Sequence, residues 1–225
     1  MVFKRAVAEG IGTYILVFIG TGAILFCEAM EFGGLTDVVI GLAFGAAVTL
    51  VILAIGKFSG AHINPAVTLG FWSDKQISGY HVLPYIISQC IGAIAASLTL
   101  ALLDGDHSSY GGTTSSLEVW QIFTIEFIIT AILMFVILRV TKLQGILIPA
   151  VTIGGIVAIH ASVIGPYTGA SMNPARSLGP ALVSGQMEQL GIYVLATVLG
   201  SLSATALHRI IFKAGTTEPA DEPAP

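Results

Sequence analysis

The sequence predicts an all-α polytopic membrane protein, with six transmembrane helices and two re-entrant half-helices arranged as an inverted 3+3 repeat. Three observations lead there. The chain of 225 residues is 55% hydrophobic and only 10% charged, with a mean hydropathy of +0.90. Its apolar runs reach the ~20 residues that a bilayer span needs. A ten-residue motif also occurs twice, as SGAHINPAVT at 59–68 and TGASMNPARS at 168–177. A soluble protein with buried helices would instead need amphipathic stripes and many more surface charges.

The apolar runs place spans at about 6–27, 37–56, 82–103, 119–138, 146–164 and 190–212. The first follows Lys4 and Arg5, as a signal peptide would. It stays apolar to about residue 27 without a cleavage site, so it reads as a retained span. Two short apolar pieces are left, near 64–72 and 173–183. A helix of about ten residues covers about 15 Å, half of a ~30 Å hydrocarbon core, so neither can span. The tail 214–225, GTTEPADEPAP preceded by Ala214, is polar and Pro-rich and is expected to be disordered and cytoplasmic. Cys27 and Cys90 show neither ligand spacing nor a disulfide framework.

Six spans put both termini on one side. Lys4, Arg5, Lys57, Lys75, Arg139, Lys142, Arg209 and Lys213 then share that side, while Glu28, Glu31, Asp104, Asp106 and Glu118 fall opposite. The basic bias makes the first side cytoplasmic, and eight of the nine basic residues obey it. The ninth is Arg176.

The two copies of the motif lie 109 residues apart and share Gly, Ala and Asn-Pro-Ala. Glu9 and Thr13 match Glu126 and Thr130. Gln89, Gly92 and Ala93 match Thr197, Gly200 and Ser201 more loosely. The chain thus divides into repeats of about 1–113 and 114–213 within one membrane domain, 1–213. Each repeat holds three spans, an odd number, so the second enters the membrane upside down. Such pairs put their functional site near the midplane, where interrupted helices meet.

Asn suits the N-cap, where its side-chain oxygen accepts from first-turn N–H groups, and Pro suits the first helical position. Asn64-Pro65 and Asn173-Pro174 are therefore expected to start the half-helices, with Ala66 and Ala175 allowing their ends to approach. The Asn NH₂ groups are expected to stay free to point outward. Two facing N-termini concentrate about half a positive charge apiece. Upstream, Gly60, Ala61 and His62, and Gly169, Ala170, Ser171 and Met172, supply non-helical backbone at membrane depth. That is tolerable where it is buried or lines a water-filled path.

HINPAVT with MNPARS, the six-span inverted repeat and the paired Glu9 and Glu126 resemble the aquaporin (major intrinsic protein) family across residues 4–213. The resemblance implies a homotetramer with one pore per subunit, and Asn64 and Asn173 donating to passing oxygens. It places Phe44, Ala170 and Arg176 at the selectivity filter. The fourth filter position falls on Ala161 without gaps, or on His160 if residues 165–171 absorb a one-residue shift. Ala161 implies a wider filter admitting small neutral solutes such as glycerol or neutral metalloid acids; His160 implies a strictly water-selective one. Against the wider reading, Ser177 stands where glycerol-conducting members usually carry Asp, and Phe44 replaces their frequent Trp. His62 is expected at the cytoplasmic vestibule, with a merely packed histidine as the alternative. Glu9 and Glu126 are expected to brace the re-entrant loops by accepting backbone N–H bonds.

The function expected is a passive channel in the plasma membrane, partnered by lipid, water and small uncharged solutes, and excluding protons and ions. The rivals are a coupled secondary transporter using Glu9 and Glu126, and a closed structural membrane protein. No Ser/His/Asp set, metal cluster or phosphate loop occurs at meaningful spacing, so no enzyme, cofactor, metal or nucleic-acid partner is expected. Ser and His come together only in DGDHSSYGG (104–112), which reads as a solvated extracellular loop.

Overall fold

The computed structural model describes residues 2–31, 33–104 and 109–213. The tail 214–225 and part of the loop at 104–112 lie outside the described residues. Six helices are long and apolar enough to cross a membrane: α1 (Val2–Ala29), α2 (Thr36–Ser59), α4 (Gly79–Asp104), α5 (Val119–Val140), α6 (Leu147–Thr168) and α8 (Leu190–Lys213). Two short helices, α3 (Pro65–Ser73) and α7 (Pro174–Ser184), follow the two Asn-Pro pairs. The chain is an integral membrane protein. Its exterior is apolar, with Leu102 88% exposed, whereas Glu9, Gln89 and Glu126 are fully buried.

The helices are longer than the apolar runs, because backbone bonding continues through the polar residues at their ends. The clearest difference is in α6. A break is expected at GPYTGAS, yet Pro166 lies inside the helix. The helix closes only at Gly169, which takes a left-handed φ of 77° and donates its N–H to the Gly165 carbonyl at 2.8 Å.

The internal repeat sets the packing. α1 lies along α4, α5 along α8, and α2 along α6. Each short helix leans mainly on the other repeat: α3 on α8, and α7 on α4. Small residues make the close crossings possible, as helix packing in lipid requires. A Cβ at Gly92 would collide with the Gly10 carbonyl, and one at Gly45 or Gly154 would lie 2.5 Å from the other's carbonyl oxygen.

Gly92→Ala is therefore expected to lower stability by about 1–3 kcal/mol, the usual cost of overpacking. Gly155→Ala should be close to neutral, since nothing lies within 4 Å of its Cβ position. Thermal unfolding in detergent checks the pair; equal midpoints would mean that α1 and α4 can part without cost.

Candidate functional site

The backbone before each short helix alternates in hand. Gly60, Ala61 and Ile63 take φ of 99°, 47° and 44°; Gly169, Ala170 and Met172 take 77°, 41° and 52°. Left-handed backbone is unfavourable for residues with a Cβ, and β-branched Ile63 is the extreme case. Such strain persists only where surrounding bonds over-determine it.

Two buried carboxylates provide those bonds. Glu9 Oε1 accepts from Ser59 Oγ (2.7 Å) and the His62 N–H (3.0 Å), and Oε2 from the Ile63 N–H (2.6 Å) and Gln89 Nε2 (3.0 Å). Glu126 accepts from Thr168 Oγ1 (2.7 Å) and the N–H groups of Ser171 (2.9 Å) and Met172 (3.0 Å). Tyr85 and Tyr193 add a matched pair, donating to the Ser59 and Thr168 carbonyls, each at 2.7 Å. The tyrosines were not singled out from sequence. Extending the repeat alignment four residues upstream of Gln89 and Thr197 would have found them.

Asn64 and Asn173 cap α3 and α7. Asn64 Oδ1 accepts from the N–H groups of Ala66 (2.8 Å) and Val67 (3.4 Å), and Asn173 Oδ1 from those of Ala175 (3.0 Å) and Arg176 (3.4 Å). Pro65 and Pro174 take the first helical position, and Ala66 and Ala175 are fully buried. The NH₂ groups are not wholly free, however. Asn64 donates to the Met172 carbonyl (2.7 Å) and Asn173 to that of Ile63 (2.8 Å), which ties the repeats together at the centre. Each amide has two N–H donors, so one is left on each.

A cavity of about 540 Å³ runs from Lys57 and Thr141, past His62, to Asn64 and Asn173, and on to Arg176. A second of about 200 Å³ lies beyond it, lined by Glu28, Asp37 and Gly111. Phe44, Ala161 and Arg176 line both, so they form the neck between the two. Ala170 borders the larger cavity and Gly169 the smaller. Gly60, Ala61, Ser171 and Met172 also line the larger one.

The arrangement thus brings Phe44, Ala161 and Arg176 together at one neck, with Ala170 on the larger cavity. His160 lines neither cavity. Its Nδ1 lies 3.1 Å from Met172 Sδ, a direction set by the ~100° that separates successive helical residues. His62 borders the larger cavity and stacks on Phe71, with ring centroids 4.6 Å apart.

Arg176 is 2% exposed. Its guanidinium carbon lies 5.0 Å from the Phe44 ring centre, within cation–π range. Its Nη1 donates to the Gly111 carbonyl at 2.7 Å. Gly111 corrects the expectation of a solvated loop. Tyr110 and Gly111 are buried, and residues 111–115 form a strap across the end of the bundle. Ser115 donates through Oγ to the Tyr167 carbonyl (2.6 Å) and exchanges two bonds with Gln189 (3.0 and 2.8 Å). A backbone carbonyl in a loop carries no residue-type signature, so sequence reasoning had no means to find it.

Residues 1–208 match the family model for the major intrinsic protein. Nodulin-26 of Glycine max is 38% identical over 211 residues, covering 92% of this chain and 78% of that protein. Aquaporin NIP1-1 of Zea mays is 36% identical, covering 92% and 74%. Among solved structures, the aquaglyceroporin from Plasmodium falciparum superposes with a TM-score of 0.86 at 26% identity, covering 94% of this chain and 98% of that one.

Proposed function

The chain belongs to the major intrinsic protein family, and from that premise we propose that its pore conducts water and small uncharged solutes such as glycerol or neutral metalloid acids while excluding protons and ions. It is a membrane channel and not an enzyme. The observation that carries the solute reading is the neck shared by the two cavities, whose walls are Phe44, Ala161 and Arg176. Ala161 at the neck and Ala170 on the larger cavity carry only methyl groups, so that side of the path is apolar and leaves room for a solute. The Phe44 ring presents an apolar face to a solute's carbons, and Arg176 supplies donors for its oxygens. The likeness to an aquaglyceroporin supports the same reading.

A solute reaches the midplane between two half-helices that enter from opposite faces. There the one uncommitted N–H on each of Asn64 and Asn173 faces its oxygen. A water held by two donors turns its own hydrogens away from both, which breaks a proton-conducting chain of waters. The two helix N-termini add about half a positive charge each and oppose cations. Glu9 and Glu126 line neither cavity and are committed to loop N–H groups, which favours a passive path over ion coupling. Residues 1–213 act as one channel domain. The channel works as a homotetramer in the plasma membrane, with both termini cytoplasmic, as the positive-inside bias directs.

Stopped-flow light scattering on proteoliposomes tests the proposal by comparing water with glycerol. Both should pass faster than through bare vesicles; glycerol at the lipid background would overturn the wide neck. Ala161→His should then cut glycerol permeability by about tenfold, the factor that about 1.4 kcal/mol of added steric barrier gives. Water flux should change far less. An unaltered glycerol-to-water ratio in that variant would remove Ala161 from the filter.

A further inference from the structure

The two half-helices are braced by different parts of the molecule. In the first repeat, Thr68 Oγ1 donates to the Asn64 carbonyl at 3.0 Å and accepts from Gln89 Nε2, on α4, at 3.0 Å. The counterpart of Gln89 is Thr197, whose hydroxyl turns back to the Tyr193 carbonyl of its own helix at 2.7 Å. No scaffold helix therefore supplies that donor to the second repeat among the described bonds. Ser177, the counterpart of Thr68, is met instead by Thr113 of the strap, whose Oγ1 donates to Ser177 Oγ at 2.8 Å.

The protons along this path can be ordered. Ser171 Oγ donates to the Asn173 carbonyl at 3.1 Å and lies 2.6 Å from Ser177 Oγ. A hydroxyl has one proton. With the Ser171 proton on the Asn173 carbonyl, Ser177 donates to Ser171 and Thr113 to Ser177, an order in which every hydroxyl has an acceptor. The three hydroxyls form one aligned chain from the strap to the backbone of the capping Asn, and such chains strengthen cooperatively. Thr113 also packs against the left-handed Gly169: a Cβ built there would lie 3.1 Å from Thr113 Cα. Its neighbour Gly111 holds Arg176.

We infer that Thr113 is a positioning residue for the filter, taking in the second repeat the place that Gln89 holds in the first, so that the strap between the repeats sets the pore's selectivity. It touches no permeating solute. It acts through Ser177 and Ser171 on the backbone that carries Ala170 and Asn173. The link to selectivity rests on the channel reading above; the bracing itself does not.

The experiment pairs Thr113→Val, which keeps the shape and deletes the hydroxyl, with Thr113→Ser, which restores it. The first readout is amide hydrogen exchange in the full-length protein. Thr113→Val should speed exchange in 168–177 by about tenfold, the factor for one buried hydrogen bond, and leave 59–68 unchanged. The second is the glycerol-to-water permeability ratio in proteoliposomes, which should shift in Thr113→Val and return in Thr113→Ser. Unchanged exchange in 168–177, or equal acceleration in both motifs, overturns the bracing role. Faster exchange with an unchanged ratio overturns the control of selectivity. If the unmodified protein passes neither solute above bare vesicles, the channel reading fails, and exchange still decides the brace. Should Thr113→Val not fold, Ser177→Ala breaks the same chain one link later and is read by the same two outcomes.

Discussion

Arg176→Val should open the channel to cations while leaving water flux largely intact. Val is what the first repeat carries at the matching position, Val67, which is buried on the first turn of α3. The half-helix therefore tolerates it, and the substitution restores the internal symmetry that Arg176 breaks. A unit charge about 6 Å from a passing cation, at an effective dielectric of about 20, contributes roughly 3 kcal/mol of repulsion. Removing it should raise cation and proton leak by about 100-fold, at about 1.4 kcal/mol per tenfold. The Gly111 carbonyl loses its donor but borders the smaller cavity, where water can replace it. A pH-sensitive dye in proteoliposomes reads the proton leak under an imposed gradient, with stopped-flow scattering for water on the same preparation. Leak equal to that of the unmodified channel would move the barrier from Arg176 to the half-helix dipoles and the asparagine pair.

Much of this site was legible because its physics is local. An Asn-Pro pair before a short apolar run specifies a capped helix whatever surrounds it, and both caps form as the residue types dictate. The glutamates stood out as charges inside apolar runs, and burial turned them into acceptors for nearby strained backbone. What escaped the sequence depends on groups far apart in the chain. Each asparagine spends an N–H on a carbonyl about 110 residues away, a bond that exists only once the repeats have packed. The choice between His160 and Ala161 was open for a related reason. α6 is apolar on nearly every face, so no stripe reports its rotation, and one residue of register exchanges a neck residue for one packed on Met172. The end of α6 lies past its apolar run because the helix continues through Pro166 to Thr168, although proline usually ends a helix. The strap failed to show because its Gly and Ser residues look like any exposed turn, and its role lies in carbonyls and hydroxyls reaching inward.

Glu9→Ala should be the most destabilising of the predicted substitutions, and worse than Glu126→Ala. A carboxylate only accepts hydrogen bonds, and Glu9 serves four donors from three segments: Ser59 at the end of α2, His62 and Ile63 on the loop, and Gln89 on α4. Each buried donor left without a partner costs about 1–3 kcal/mol, so losing all four costs about 4–12 kcal/mol. That rivals the whole stability of a typical domain, about 5–15 kcal/mol. The strained backbone at Ala61 and Ile63 would lose its restraint in the same step. Glu126 serves three donors, so its loss should be smaller by about one such increment. Glutamine tests the chemistry rather than the volume. One of its two ends must be an NH₂, which would face N–H donors wherever it is placed at position 9, so Glu9→Gln should also lower the unfolding midpoint markedly. A proton-relay role predicts the reverse, with a Glu9→Gln protein that folds normally and loses only a pH-dependent component of transport. Thermal unfolding in detergent, with folded yield as the second measure, separates the two. An unchanged midpoint in Glu9→Gln would mean that the loop holds its left-handed conformation without the carboxylate.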